Sequence, residues 1–176
     1  MNSYIFSCQI KPLIKYNHER VSVIQLICSD YNLVIINVYM PYLDRSNLQS
    51  ASDHYDEILG YLDYIIGDIQ DAHFIVLGDF NCNLYDSTHP FAASLNNFVT
   101  SRHLCCTYTL MESFDSNSTF TRRDSRSKSL LDYVFVSQSI VKTVTEVTIS
   151  DCHDNLLDHL PIDIVLTLPM TTPTTS

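Results

Sequence analysis

Apolar and polar positions alternate along this chain in two distinct periods. Val21 to Ile27 and Leu33 to Tyr39 are rich in Ile and Val, and Tyr4 to Leu13 reads the same way. Such β-branched runs predict strands, with Ser29-Asp30-Tyr31-Asn32 as the turn between the second and third. The period then changes. Leu48, Ala51, Tyr55, Ile58, Leu59, Leu62, Ile65, Ile66 and Ile69 recur at three- and four-residue steps. That spacing predicts one long amphipathic helix from Asn47 to Ile69, with Ser46 placed to cap it. A strand from His73 to Leu77 follows. A shorter helix over Pro90 to Ser101 carries Phe91, Leu95 and Phe98 on one face. Strands at Leu130–Val136, Val144–Ile149 and Ile162–Leu168 complete the pattern. The Thr- and Pro-rich stretch Pro169–Ser176 is expected to be disordered. Strands with one apolar face and two covering helices predict an α/β domain of packed sheets.

With 176 residues the chain makes one domain, over residues 1–168. An apolar fraction of 45% excludes a disordered polypeptide. No apolar stretch approaches the ~20 residues of a membrane span, and no secretory signal precedes the first strand. The six cysteines show neither CxxC pairs nor finger spacing, so free core thiols and a reducing, intracellular setting are expected. The formal charge of −10 disfavours non-specific attraction to nucleic acid. Positive charge is concentrated locally, however, at Arg122, Arg123, Arg126 and Lys128.

The densest chemistry lies at Gly78-Asp79-Phe80-Asn81, directly after the apolar run Phe74-Ile75-Val76-Leu77. A strand ends, the chain turns at glycine, and Asp79 and Asn81 emerge two residues apart. In an extended segment they share a face, with Phe80 turned to the core. Alone, this tetrapeptide is equally a turn in which both side chains bond local backbone. Four other segments stand with it in order: Val38-Tyr39-Met40-Pro41-Tyr42, Ser118-Thr119-Phe120, Leu131-Asp132-Tyr133-Val134-Phe135-Val136-Ser137, and Asp158-His159-Leu160-Pro161-Ile162. Asp132 is a carboxylate inside a strand and needs a partner. A lone Asp-His pair is most often surface sequence, but this one precedes an apolar strand.

This ordered set resembles the endonuclease/exonuclease/phosphatase superfamily, over roughly residues 20–167, and most closely the endonuclease domains of non-LTR retrotransposons. The resemblance implies a four-layer α-β-β-α sandwich of two mainly antiparallel sheets. It implies a Mg²⁺-dependent phosphodiesterase, with Mn²⁺ as a substitute, acting on DNA within a reverse transcriptase polyprotein. By the same resemblance Asp79 orients the attacking water and Asn81 bonds a phosphate oxygen. Asp158 joins Asp79 and Asn81 at the metal. His159 stands at the scissile phosphate, Asp132 holds it, and the Tyr39 hydroxyl reaches the phosphate. Apart from the resemblance, Arg122, Arg123, Arg126 and Lys128, with Thr119 beside them, read either as a loop that touches the DNA backbone weakly or equally as a solvated loop with a few charges.

Two family motifs are not found. One is an early strand with an active-site asparagine, the other a unit ending in a metal-binding glutamate. Glu19 sits in a polar link and is a poor replacement. The sequence therefore reads as a domain lacking its N-terminal strands, whose open sheet edges invite self-association. A non-catalytic remnant and a relative directed at RNA or a phospholipid headgroup are the alternatives. Location in cytoplasm or nucleus follows from the DNA reading.

Overall fold

The computed structural model describes residues 9–28, 31–151 and 158–168. Strands β1 (Gln9–Pro12), β2 (Val21–Cys28) and β3 (Tyr31–Tyr39) form an antiparallel meander. Helix α1 (Leu48–Asp68) then carries the chain back so that β4 (His73–Asp79) lies parallel to β3. Helix α2 (Ala92–Ser101) leads to β5 (Leu104–Cys106). A small hairpin, β6 (Arg122–Arg123) and β7 (Lys128–Ser129), precedes β8 (Asp132–Ser137), which inserts antiparallel between β4 and β5. The large sheet thus runs β1-β2-β3-β4-β8-β5. Strands β9 (Val144–Ile149) and β10 (Ile162–Leu166) pair antiparallel as a second, two-stranded sheet.

The period-two pattern of the central strands sorts side chains between two cores. Val34, Ile36 and Val38 of β3, Phe74 and Val76 of β4, and Tyr133 and Phe135 of β8 meet Tyr55, Ile58, Leu62 and Ile65 of α1. The alternate residues Leu33, Ile75, Val134 and Val136 meet Ile162, Ile164, Leu166 and Val144 of the second sheet. Helices, large sheet and small sheet therefore stack as layers of an α/β sandwich with a two-sheet core, as the pattern predicts. Among the described residues no helix is long and apolar enough to cross a membrane.

Several local expectations are corrected. Helix α1 is capped by Asn47, whose side chain accepts from the Ser50 N–H at 3.2 Å, and not by Ser46. Ser46 instead donates to Asp44, which draws it out of the capping position. The strand read from Tyr4 is described only over Gln9–Pro12, because Tyr4 to Cys8 lie outside the described residues. So do Ser29 and Asp30 of the turn and Pro169–Ser176 of the tail. Cys28 is disulfide-bonded, contrary to the expectation of free core thiols. It lies half-buried at the end of β2 and not in the core proper. Cys82, Cys105 and Cys106 are free thiols.

Candidate active site

Strand register assembles the site. Tyr39 stands beside Asp79 in the parallel β3–β4 pair, and Asp79 lies opposite Asp132 in the antiparallel β4–β8 pair. Cross-strand partners share a face, so the three side chains emerge in one row on the side of the small sheet. Gly78 makes the first of these junctions possible. Its φ is +136°, and a Cβ there would lie 1.9 Å from the Val38 carbonyl oxygen. Only glycine fits so close an approach.

The segment that follows is a turn in which Asp79 and Asn81 engage local backbone, and not the extended run that would put both side chains on one face. Asn81 adopts φ +47°, a left-handed conformation that asparagine tolerates. Its N–H donates to Asp79 Oδ1 at 2.8 Å, and its side-chain amide donates to the Met40 carbonyl at 2.9 Å. The Met40 N–H in turn donates to the Asp79 carbonyl at 2.8 Å. Phe80 is fully buried between Tyr133 and Phe135, edge-on to both. Its carbonyl accepts from the Tyr55 hydroxyl at 3.0 Å, which ties the turn to α1.

His159 arrives from the other direction. It forms an isolated bridge with Arg122, while the Leu160 N–H donates to the Thr121 carbonyl at 2.7 Å. Its Nδ1 lies 2.9 Å and 3.0 Å from the two Asp132 carboxylate oxygens. The expected Asp132–His159 pair is therefore formed. Thr121 anchors it. This fully buried hydroxyl donates to Asp132 Oδ2 at 2.7 Å and accepts from the backbone N–H groups of Leu131 and Asp132 at 3.1 and 3.0 Å. Sequence alone gives Thr121 only a structural part in holding the basic loop, because its bond to Asp132 depends on the fold bringing the two together.

Ligand atoms of Asp79, Asp132 and His159 all lie within 4.8 Å of one another. Burial pushes the Asp79 carboxyl pKa up, and neighbouring Asp132 adds to the rise, against the opposing pull of the Asn81 N–H. Asp79 Oδ2 has no hydrogen-bond partner among the described residues, since only Oδ1 is engaged. A half-buried carboxylate with a bare oxygen beside a second carboxylate suits a hard cation. The fit is partial, because both Asp132 oxygens already hold His159.

Other expected residues sit differently. Asp158 is outside this cluster. Its carboxylate accepts from Arg122 Nε at 2.9 Å, and that contact holds its pKa below the ordinary carboxylate range. Arg122 also stands 3.6 Å from Asp124, and Arg123 pairs with Asp151 at 2.7 Å. The basic loop is thus partly neutralised by its own acids. Arg126 and Lys128 make no ion pair among the described residues; Lys128 lies over the Phe120 ring at 4.0 Å. Thr119 binds locally, its N–H donating to the Asp115 carbonyl. Tyr39 is half-exposed at the rim.

The comparisons with known proteins agree with this fold. The model of a family described as endonuclease-reverse transcriptase matches residues 33–163. The fold superposes on the endonuclease domain of TRAS1, a telomere-specific non-LTR retrotransposon, with TM-score 0.67 and 13% identity. That match covers 91% of this chain and 67% of that one. AP endonuclease LMAP from Leishmania major gives TM-score 0.71 at 16% identity, over 85% of this chain and 55% of the other. The catalytic domain of Xenopus laevis APE2 gives 0.66 at 21%, over 88% and 57%. No curated protein sequence matches. The chain spans between about half and two thirds of these structures. A match over most of the chain, on a sandwich whose strand ends converge on Asp79, Asp132 and His159, places this protein in the endonuclease-reverse transcriptase family of the endonuclease/exonuclease/phosphatase superfamily.

Proposed function

We propose that the chain is a divalent-metal-dependent phosphodiesterase of the endonuclease type, acting on DNA as part of a retrotransposon-derived polyprotein. The observation that carries this reading is the convergence of Asp79, Asp132 and His159 within 4.8 Å. The DNA substrate rests on the relatives, which are named as the endonuclease domain of a retrotransposon and an AP endonuclease. Such a substrate implies work in cytoplasm or nucleus.

In this reading Asp132 fixes the tautomer and ring plane of His159 through Nδ1, and the imidazole stands at the scissile phosphate. Asp79 holds the attacking water through its free oxygen and takes its proton. Asn81 and Tyr39 at the rim orient the phosphate. A bound Mg²⁺, held by Asp79 with Asp132 beside it, would neutralise charge on the phosphoryl and leaving oxygens. Thr119, Arg126 and Lys128 are proposed to meet the DNA backbone beyond the site. For Arg122 this requires release from Asp158, which would also free that carboxylate for the metal.

The test is metal-dependent nicking of supercoiled plasmid. It is run on the chain itself and on the chain fused to the N-terminal portion of the TRAS1 endonuclease domain. Slow nicking is expected from the first and faster nicking from the second, with both lost in His159→Ala and in chelator. A folded fusion that leaves plasmid intact at every Mg²⁺ and Mn²⁺ concentration would refute the reading and favour a non-catalytic remnant.

A further inference from the structure

Four cations, Arg122, Arg123, Arg126 and Lys128, stand close together in a chain of net charge −10. They flank a turn. Strands β6 and β7 pair Arg122 with Ser129 and Arg123 with Lys128, which leaves Asp124-Ser125-Arg126-Ser127 as the loop at the tip. Asp124 fastens this loop. Its carboxylate accepts from the N–H groups of Arg126 and Ser127 at 2.7 and 2.8 Å, and from the Ser127 hydroxyl at 3.1 Å. The serines here differ in what their hydroxyls can do. Ser127 is bound to Asp124, and Ser129 is half-buried in β7. Ser125 is exposed at the apex, and its hydroxyl makes no hydrogen bond among the described residues.

The approach to Ser125 is also distinctive. No other serine or threonine of the chain has arginine both two and three positions before it. An acidic cleft reads such a pair through its carboxylates, because each planar guanidinium fork matches a carboxylate in a fixed geometry. The chain shows this recognition within itself: Arg122 Nε donates to Asp158 at 2.9 Å, and Arg123 lies 2.7 Å from Asp151. Both ion pairs are partly exposed, and pairs of that kind are weak, so carboxylates of a partner can replace them. A hairpin of two residue pairs is a slight structure, and it opens locally without unfolding the sheet beneath it.

We propose that Ser125 is a phosphorylation site for an arginine-directed protein kinase, and that the phosphate withdraws Arg126 and Lys128 from DNA. In the step, Ser125 Oγ attacks the γ-phosphorus of a nucleoside triphosphate. The Oγ–P bond forms and the bond from that phosphorus to the bridging oxygen breaks. The hydroxyl proton passes to the base of the kinase, and the nucleoside diphosphate leaves. The product carries roughly −2 charge and three acceptor oxygens at the loop tip. Arg126 and Lys128 make no ion pair among the described residues and adjoin the modified serine, so they are the cations that the phosphate meets first. With four cations and one acid, residues 122–128 hold a net charge of +3. The phosphate cuts this to about +1. The consequence for DNA rests on the endonuclease reading; the modification itself does not.

The experiment incubates the folded chain with ATP and the catalytic subunit of cyclic-AMP-dependent protein kinase, and follows the product by intact mass and peptide mapping. One phosphoryl group per chain is expected, on Ser125. It should be absent in Ser125→Ala and present in Ser127→Ala. Arg123→Gln should slow its addition about tenfold, because one guanidinium–carboxylate contact is lost. Binding of a labelled DNA duplex is then measured in chelator across a salt series, where the modified chain should show a salt slope lower by about two. No DNA enters the mass measurement, so its failure and the failure of the endonuclease reading are distinguishable. A chain that takes no phosphate on Ser125, or takes it only after denaturation, overturns the proposal. So does a modified chain whose salt slope equals that of the unmodified one.

Discussion

Replacing Thr121 by valine should cost more stability than its size suggests. Valine matches threonine in shape, so little packing is lost. What is lost is a hydroxyl with three engagements: donation to Asp132 at 2.7 Å, and acceptance from the Leu131 and Asp132 N–H groups at 3.1 and 3.0 Å. Losing a hydrogen bond to a charged group costs about 1.5–3 kcal/mol, and a buried N–H left without its acceptor costs about 1–3 kcal/mol. Water cannot repair the site, since Thr121 is fully buried. Backbone relaxation spares part of the sum, and we expect about 3–5 kcal/mol. Thr121→Ser removes a methyl group and keeps the hydroxyl, at about 1 kcal/mol. Urea denaturation of the three proteins at neutral pH measures both differences. On the thermal scale 3 kcal/mol corresponds to roughly 6–12 °C for a domain of this size. If valine and serine cost the same, the hydroxyl is not the anchor of the Asp132–His159 pair, and the reasoning fails.

Three further outcomes are expected. Asp79→Asn should raise the melting temperature at pH 7. The folded-state pKa of Asp79 is raised, so the folded protein loses stability as pH climbs from the ordinary value near 3.8 through the folded value. The gain in the variant should disappear at acid pH, and a variant no more stable than wild type at pH 7 contradicts the burial argument. Gly78→Ala should lose about 3–5 kcal/mol or fail to fold, because its Cβ meets the Val38 carbonyl at 1.9 Å; a normal melting curve would show that β3 and β4 can separate there. Calorimetric titration with Mg²⁺ should show weak binding, in the millimolar range typical of sites with few carboxylates. Only Asp79 offers a free oxygen in the cluster, and micromolar affinity would mean that the Arg122–Asp158 pair opens to supply another.

The parts of the fold that sequence reveals are those whose signal is local. The nine-position stripe of α1 and the apolar runs of β3, β4 and β8 each carry their own periodicity. The turn at Gly78 was legible because glycine, aspartate and asparagine crowd a strand end. Strand β5 escaped, since Leu104-Cys105-Cys106 is too short to show alternation. The β6–β7 hairpin escaped for the same reason, and with it the fate of the basic loop. Arg122 and Arg123 are cations in the sequence, but Asp158 and Asp151 reach them only after the hairpin forms. Asp132 and His159 were paired in advance by the resemblance and by the need of a carboxylate inside a strand for a partner, and the structure places them 2.9 Å apart.

The parallel pairing of β3 with β4 has a consequence for how the protein folds. Every other pairing in the large sheet is antiparallel, and this one must wait for α1 to carry the chain back. Contacts between distant segments form late, because the loop entropy must be overcome before any contact rewards it. Asp79 shares a row with Tyr39 only once β4 has docked, and with Asp132 only once β8 has inserted. A partly folded chain on the way there has its acidic groups scattered and no place for a cation. Metal affinity, followed in time during refolding, would therefore serve as a clock for the final assembly of the sheet, silent through collapse and helix formation and rising only as the last central strands close.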